Sequence, residues 1–140
     1  MIDDPVRAAY DEVYAYTMQQ GGASFILQHV VDAFKAQTAG KDDKPIGIVF
    51  ALVGLYLRIE KHYSGRQVQR AHMRLGRQKR EWPVIELPAN RGSMTVLDVA
   101  AVPEGPERDL AIDAWCRSVW AAFHDSHATI AALLREHRII

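Results

Sequence analysis

The chain has 140 residues, 49% hydrophobic and 24% charged, a balance that excludes a disordered or membrane-embedded protein and suffices for one domain with a real core. Seventeen basic residues face seventeen acidic ones, so no global field draws in nucleic acid or an anionic membrane, and any such attraction has to be local. The single cysteine, Cys116, excludes an internal disulfide; with no basic-then-apolar leader at the N-terminus, this points to the reducing cytoplasm.

Asp4 followed by Pro5 predicts an N-cap with proline at the first helical position, and Val6, Ala9, Tyr10, Val13 and Thr17 then share one face of a helix running to about Gln20. Gly21 and Gly22 end it. Ser24 predicts a cap for a second helix whose inward stripe is Ile26, Leu27, Val30, Ala33 and Phe34, ended by Gly40. Lys41 to Lys44 read as a solvated loop, with Asp43 placed to cap the helix that begins at Pro45.

The third helix, 46–62, organises the chain. From Ile46 to Leu57 it carries no charge, so it is apolar around nearly its whole circumference and belongs inside the molecule. A bilayer needs roughly 20 apolar residues, and this run stops well short of that. Ser64 and Gln67 form an S-x-x-Q capping box for a fourth helix, with Val68, Ala71, His72 and Leu75 on one stripe and Arg66, Arg70, Arg74 and Arg77 on another. The Trp82-Pro83 pair terminates it. Two prolines and a glycine in PVIELPANRG predict an irregular loop over 83–94 and no sheet. Thr95 and Asp98 predict a short capped helix through VLDVAAV, and a long last helix starts near Pro106, with a break around Asp125 and Ser126. The fold class is therefore all-α: one domain over 1–140, a bundle of five to seven helices around the buried third.

Several residues are candidates for chemistry. His29 and Asp32, three apart on the second helix, and His124 and His127, three apart on the last, have the spacing at which side chains share a face and can hold a divalent transition metal such as zinc, nickel or iron. On the helical wheel His29 lies at the rim of the apolar stripe with Asp32 outside it; His127 borders its stripe and His124 points away. His72 sits on an apolar stripe, where it is either a buried, hydrogen-bonded core residue or a catalytic group. Glu60, leaving so apolar a helix, either pairs with Arg66 or Arg70 or is held for proton transfer. Cys116 reads as a buried, inert thiol, and Trp115, Trp120 and Phe123 as core or as the wall of an apolar pocket.

Arg66, Arg70, Arg74 and Arg77, followed by Lys79 and Arg80, put six of the seventeen basic residues into fifteen positions. A guanidinium row suits phosphate or carboxylate, so RNA, a nucleotide or an acidic protein fits it, and a solvated face whose arginine stems cover core edges fits it too. Aromatic interleaving is thin, with only Trp82 adjacent.

At QHVVDAF (Gln28 to Phe34), SGRQVQRAHM (Ser64 to Met73), Trp82-Pro83 and DAWCRSVW (Asp113 to Trp120) the sequence resembles a bacterial family of small proteins catalogued only as a domain of unknown function. The resemblance spans nearly the whole chain and implies no activity. Some members begin with a CPGCG-like cysteine pair, which this chain lacks. His29 and the HDSH of His124 to His127 are also similar in position to the histidines of DinB/YfiT-like metal-dependent helical bundles, although the last pair is spaced by three where that superfamily has four. That likeness implies a hydrolase or transferase acting on a small thiol-bearing or electrophilic molecule. His29 and His127 would be ligands, His124 or Asp32 the third, with His72 or Glu60 nearby for proton transfer. Two other expectations stand beside it: a module docking an anionic partner on the arginine row, and a homodimer buried through the tryptophan-bearing helix.

Overall fold

The computed structural model describes residues 2–20, 26–78 and 81–140, and among them seven α-helices and one short 3-10 turn, with no strand. The helices are α1 (Asp4–Gln20), α2 (Leu27–Thr38), α3 (Pro45–Lys61), α4 (Gly65–Gly76), α5 (Val96–Ala100), α6 (Pro106–Ala122) and α7 (His127–Glu136), with the 3-10 turn His124–Ser126 between the last two. The expected stops and cap at Gly21, Gly22 and Ser24, and the charges at Lys79 and Arg80, lie outside the described residues.

α3 is central, as its uncharged run requires. Every residue from Ile48 to Leu57 except Phe50 is buried, and the helix packs against α2, α4, α6 and α7. α2 is nearly as enclosed, since it also meets α1, α4 and α6. That enclosure overturns the wheel reading of its polar residues: His29 and Asp32 are each only 4% exposed, because neighbouring helices cover the faces from which they project and leave the stripe of Gln28, Val31 and Lys35 partly open.

Chain-end chemistry sets most boundaries. Ser64 accepts the Gln67 N–H while Gln67 accepts the Ser64 N–H, and Thr95 with Asp98 forms the same reciprocal box. At the first helix the capping oxygen belongs to Asp3, whose Oδ1 accepts the Val6 N–H at 3.1 Å, and not to Asp4. Asp43 does not cap α3; it accepts the Gly40 N–H at 2.8 Å and lies 3.8 Å from Lys35 Nζ. α4 stops at Gly76, ahead of the Trp82-Pro83 pair.

The loop over 83–94 is held from below. Arg91 donates to the Ala36 and Gln37 carbonyls at the C-terminal end of α2, and the Gln37 side chain answers by donating to Arg91 and Met94 carbonyls while accepting Trp115 Nε1 at 2.9 Å. Gly92 closes against α6: its φ is 109°, and a Cβ there would stand 2.7 Å from Ser118 Oγ. Arg108, 4% exposed, ties the α5–α6 junction to α1 through the Val102 and Ala100 carbonyls and Glu12 at 2.9 Å. No described helix is long and apolar enough to cross a membrane.

Candidate functional site

A cavity of about 460 Å³ opens where α2, α3 and α6 meet, lined by Ile26, His29, Arg58, Pro106, Asp109, Leu110, Ile112, Asp113 and Cys116. Local sequence explains the convergence. Arg58 is the first charge after the buried run of α3, so it emerges at the edge of the core. Asp109, Asp113 and Cys116 recur four and then three positions apart, one face of α6. His29 reaches the same space from α2.

The charges are arranged unevenly. Asp113 is shared, with Oδ1 3.4 Å from Arg58 Nη2 and Oδ2 2.9 Å from Arg117 Nε. Asp109 accepts the Tyr16 hydroxyl at 2.7 Å, which fixes its carboxylate across from α1. Burial, then the Arg58 guanidinium, pushes His29 down to about 4 against the opposing pull of Asp113, so its imidazole is neutral at physiological pH. Its Nδ1 is buried and has no partner. Cys116 donates its thiol proton to the His29 carbonyl at 3.7 Å, and burial raises the thiol, so it is protonated and not a nucleophile. The cavity thus offers one guanidinium, two held carboxylates and a neutral imidazole on an otherwise apolar wall.

Asp32 stands one turn beyond His29 but outside this lining. Its Oδ1 accepts Gln28 Nε2 at 3.1 Å, Oδ2 is buried without a partner, and the carboxyl is wedged against Gly54 of α3. Burial raises its pKa well above the ordinary carboxylate value, with the Gln28 bond opposing.

The residues expected to share a metal ion are not brought together. Among the described residues no group of three His, Cys, Asp or Glu side chains could hold one. His29 is at the α2–α6 seam and Asp32 faces α3. His127 is stacked on Trp120 at 3.7 Å with Nε2 2.8 Å from the Trp120 carbonyl. The 3-10 turn leaves His124 in solvent beside Asp125. The DinB-like triad therefore does not fit this chain.

His72 has its Nε2 2.7 Å from the Phe50 carbonyl, which makes that nitrogen the donor, and burial lowers its pKa. Glu60 is exposed and accepts Trp120 Nε1 at 3.1 Å. Neither lines the cavity. Arg66, Arg70, Arg74 and Arg77 are all exposed on α4. Sequence reasoning passed over Arg58, Asp109 and Asp113; the available signal was the carboxylate ladder on α6 facing the first cation of α3.

A family model described as a family of unknown function, DUF5946, matches residues 7–124. No curated protein and no solved structure matches the chain.

Proposed function

Since the chain belongs to DUF5946, a family with no assigned activity, we propose from the cavity itself that this protein binds a small molecule between α2, α3 and α6. The observation carrying this reading is a space of about 460 Å³, mostly apolar, into which a few polar groups converge. Ligand sites run to about 300–1,000 Å³ with that kind of lining. Ile26, Leu110 and Ile112 would cover an apolar body. The Arg58–Asp113 pair is long at 3.4 Å and only partly covered, with side chains 35% and 28% exposed. A head group carrying both an acceptor and a donor, such as an amide or a zwitterion, matches that pair better than a simple ion does. His29 adds a neutral imidazole.

The test is a fragment library read by amide chemical shifts of the labelled protein. Hits are expected to perturb His29, Arg58 and Asp113 together. Leu110 is 72% exposed at the rim, so Leu110→Trp should leave folding intact and narrow the mouth, weakening hits about tenfold or more. Because His29 is neutral down to about pH 4, affinity should be flat from pH 6 to 8. Hits that map to another surface, or that ignore Leu110→Trp, end this reading.

A further inference from the structure

We infer that the groove between α1, α2 and the loop over 40–43 is a second ligand site, for a small molecule that carries an oxyanion on an apolar body. The groove measures about 700 Å³ and shares no lining residue with the cavity where α2, α3 and α6 meet. Helix geometry explains the separation. Val31, Phe34, Lys35 and Thr38 line the groove from α2 and fall within about 100° of helix arc, whereas His29, which lines the other cavity, projects from the opposite side. Arg7 and Tyr10, three apart and so on one face, line it from α1, with Ile2 just ahead of that helix and Gly40 to Asp43 across from it.

The cations of this groove are placed for an anion. Tyr10 and Phe34 stack at 3.9 Å across the α1–α2 seam, and the Arg7 guanidinium lies 5.8 Å and 5.9 Å from their ring centres. Contact with the rings restrains the long side chain, so ordering it on a ligand costs less than ordering a free arginine, and its planar fork keeps its donors. Among the described residues neither Arg7 nor Lys41 has an ion pair. Lys35 has one with Asp43, but at 3.8 Å it is longer than a hydrogen bond, and Asp43 also accepts the Gly40 N–H at 2.8 Å. Three cations therefore face two carboxylates, Asp42 and Asp43, beside the half-buried apolar surface of Ile2, Tyr10 and Val31. An oxyanion answers the surplus charge and an apolar body covers those side chains; a cation or a wholly polar molecule does neither.

Amide chemical shifts of the labelled full chain, titrated with naphthoate and naphthyl phosphate, test this, with naphthamide as the uncharged counterpart. Both anions should move the Arg7, Thr38 and Lys41 signals together, and naphthamide should bind about tenfold more weakly. The tighter of the two anions tells whether the head group is a carboxylate or a phosphate. Arg7→Gln should weaken the anions about five- to tenfold and leave naphthamide unchanged. Lys41→Gln, in an exposed loop outside the helices, should act in the same direction without moving the melting temperature, so the loss is not one of folding. Asp42→Asn should strengthen the anions about two- to threefold, a gain that damage to the fold cannot produce. Leu110→Trp, at the mouth of the other cavity, should change neither affinity. No saturable shift by about 10 mM anion, naphthamide binding as tightly as the anions, indifference to both Arg7→Gln and Lys41→Gln, or shifts centred on His29, Arg58 and Asp113 each overturns the inference.

Discussion

Gly54→Ala is expected to lower the melting temperature by about 10 °C, although alanine is the better helix former. The added Cβ would overlap Asp32 Oδ2 and stand 2.5 Å from Cγ. Helix propensity returns about 0.5–1 kcal/mol, while overpacking costs about 1–3 kcal/mol and occasionally more. Overpacking wins here because the obstacle is a short side chain that is 4% exposed and cannot swing away. With overpacking at or above the top of that range, a net loss of about 2–3 kcal/mol follows, which for a chain of this size is the stated shift. Removing the obstacle should restore most of it. In the Asp32→Ala, Gly54→Ala double variant the new methyl occupies space the carboxyl vacates, and Gln28, which is not fully buried, can turn its amide to water. A double-mutant cycle from thermal or denaturant unfolding should show at least about 2 kcal/mol of favourable coupling. If the two changes simply add, the Asp32–Gly54 fit is not what glycine serves.

That fit illustrates how far the sequence could be read. Period and capping located the helices, because a buried run such as Ile46 to Leu57 and boxes such as Ser64 with Gln67 act within one segment. The break after α6 was also visible around Asp125, although the α-helix already ends at Ala122. What a single helical wheel cannot show is a second covering partner. It put Asp32 outside and His29 at the rim, whereas α2 is covered by α1, α3 and α6 and both are buried. The same blindness to tertiary neighbours favoured a histidine set that never meets and hid Arg58, Asp109 and Asp113, whose meaning depends on α3 and α6 crossing beside α2.

The buried carboxyl also predicts how stability depends on pH. In the folded chain Asp32 holds its proton well above the ordinary value of 3.8, because burial penalises the anion. Between 3.8 and its folded pKa the native state binds the extra proton, so stability falls as pH rises, by about 1.4 kcal/mol per pH unit. His29 acts with the opposite sign. Its folded pKa is about 4 against an ordinary 6.5, so the unfolded chain binds the extra proton between those values and stability falls as pH drops. His72, also lowered by burial, adds to that acid-side loss. The opposing slopes offset one another on the acid side of 6.5, and above it the histidines no longer contribute. Cys116, raised from 9.0, adds an alkaline loss only near and beyond that value. From about pH 6.5 to 8.5 the fall therefore belongs to Asp32. Asp32→Asn keeps the shape and cannot ionise. Urea unfolding at several pH values should show the unaltered protein losing stability across this window while the variant stays flat and becomes the more stable of the two at the alkaline end. Parallel profiles for the two proteins would mean that the carboxylate ionises without penalty, and that the pocket between α2 and α3 admits water to it.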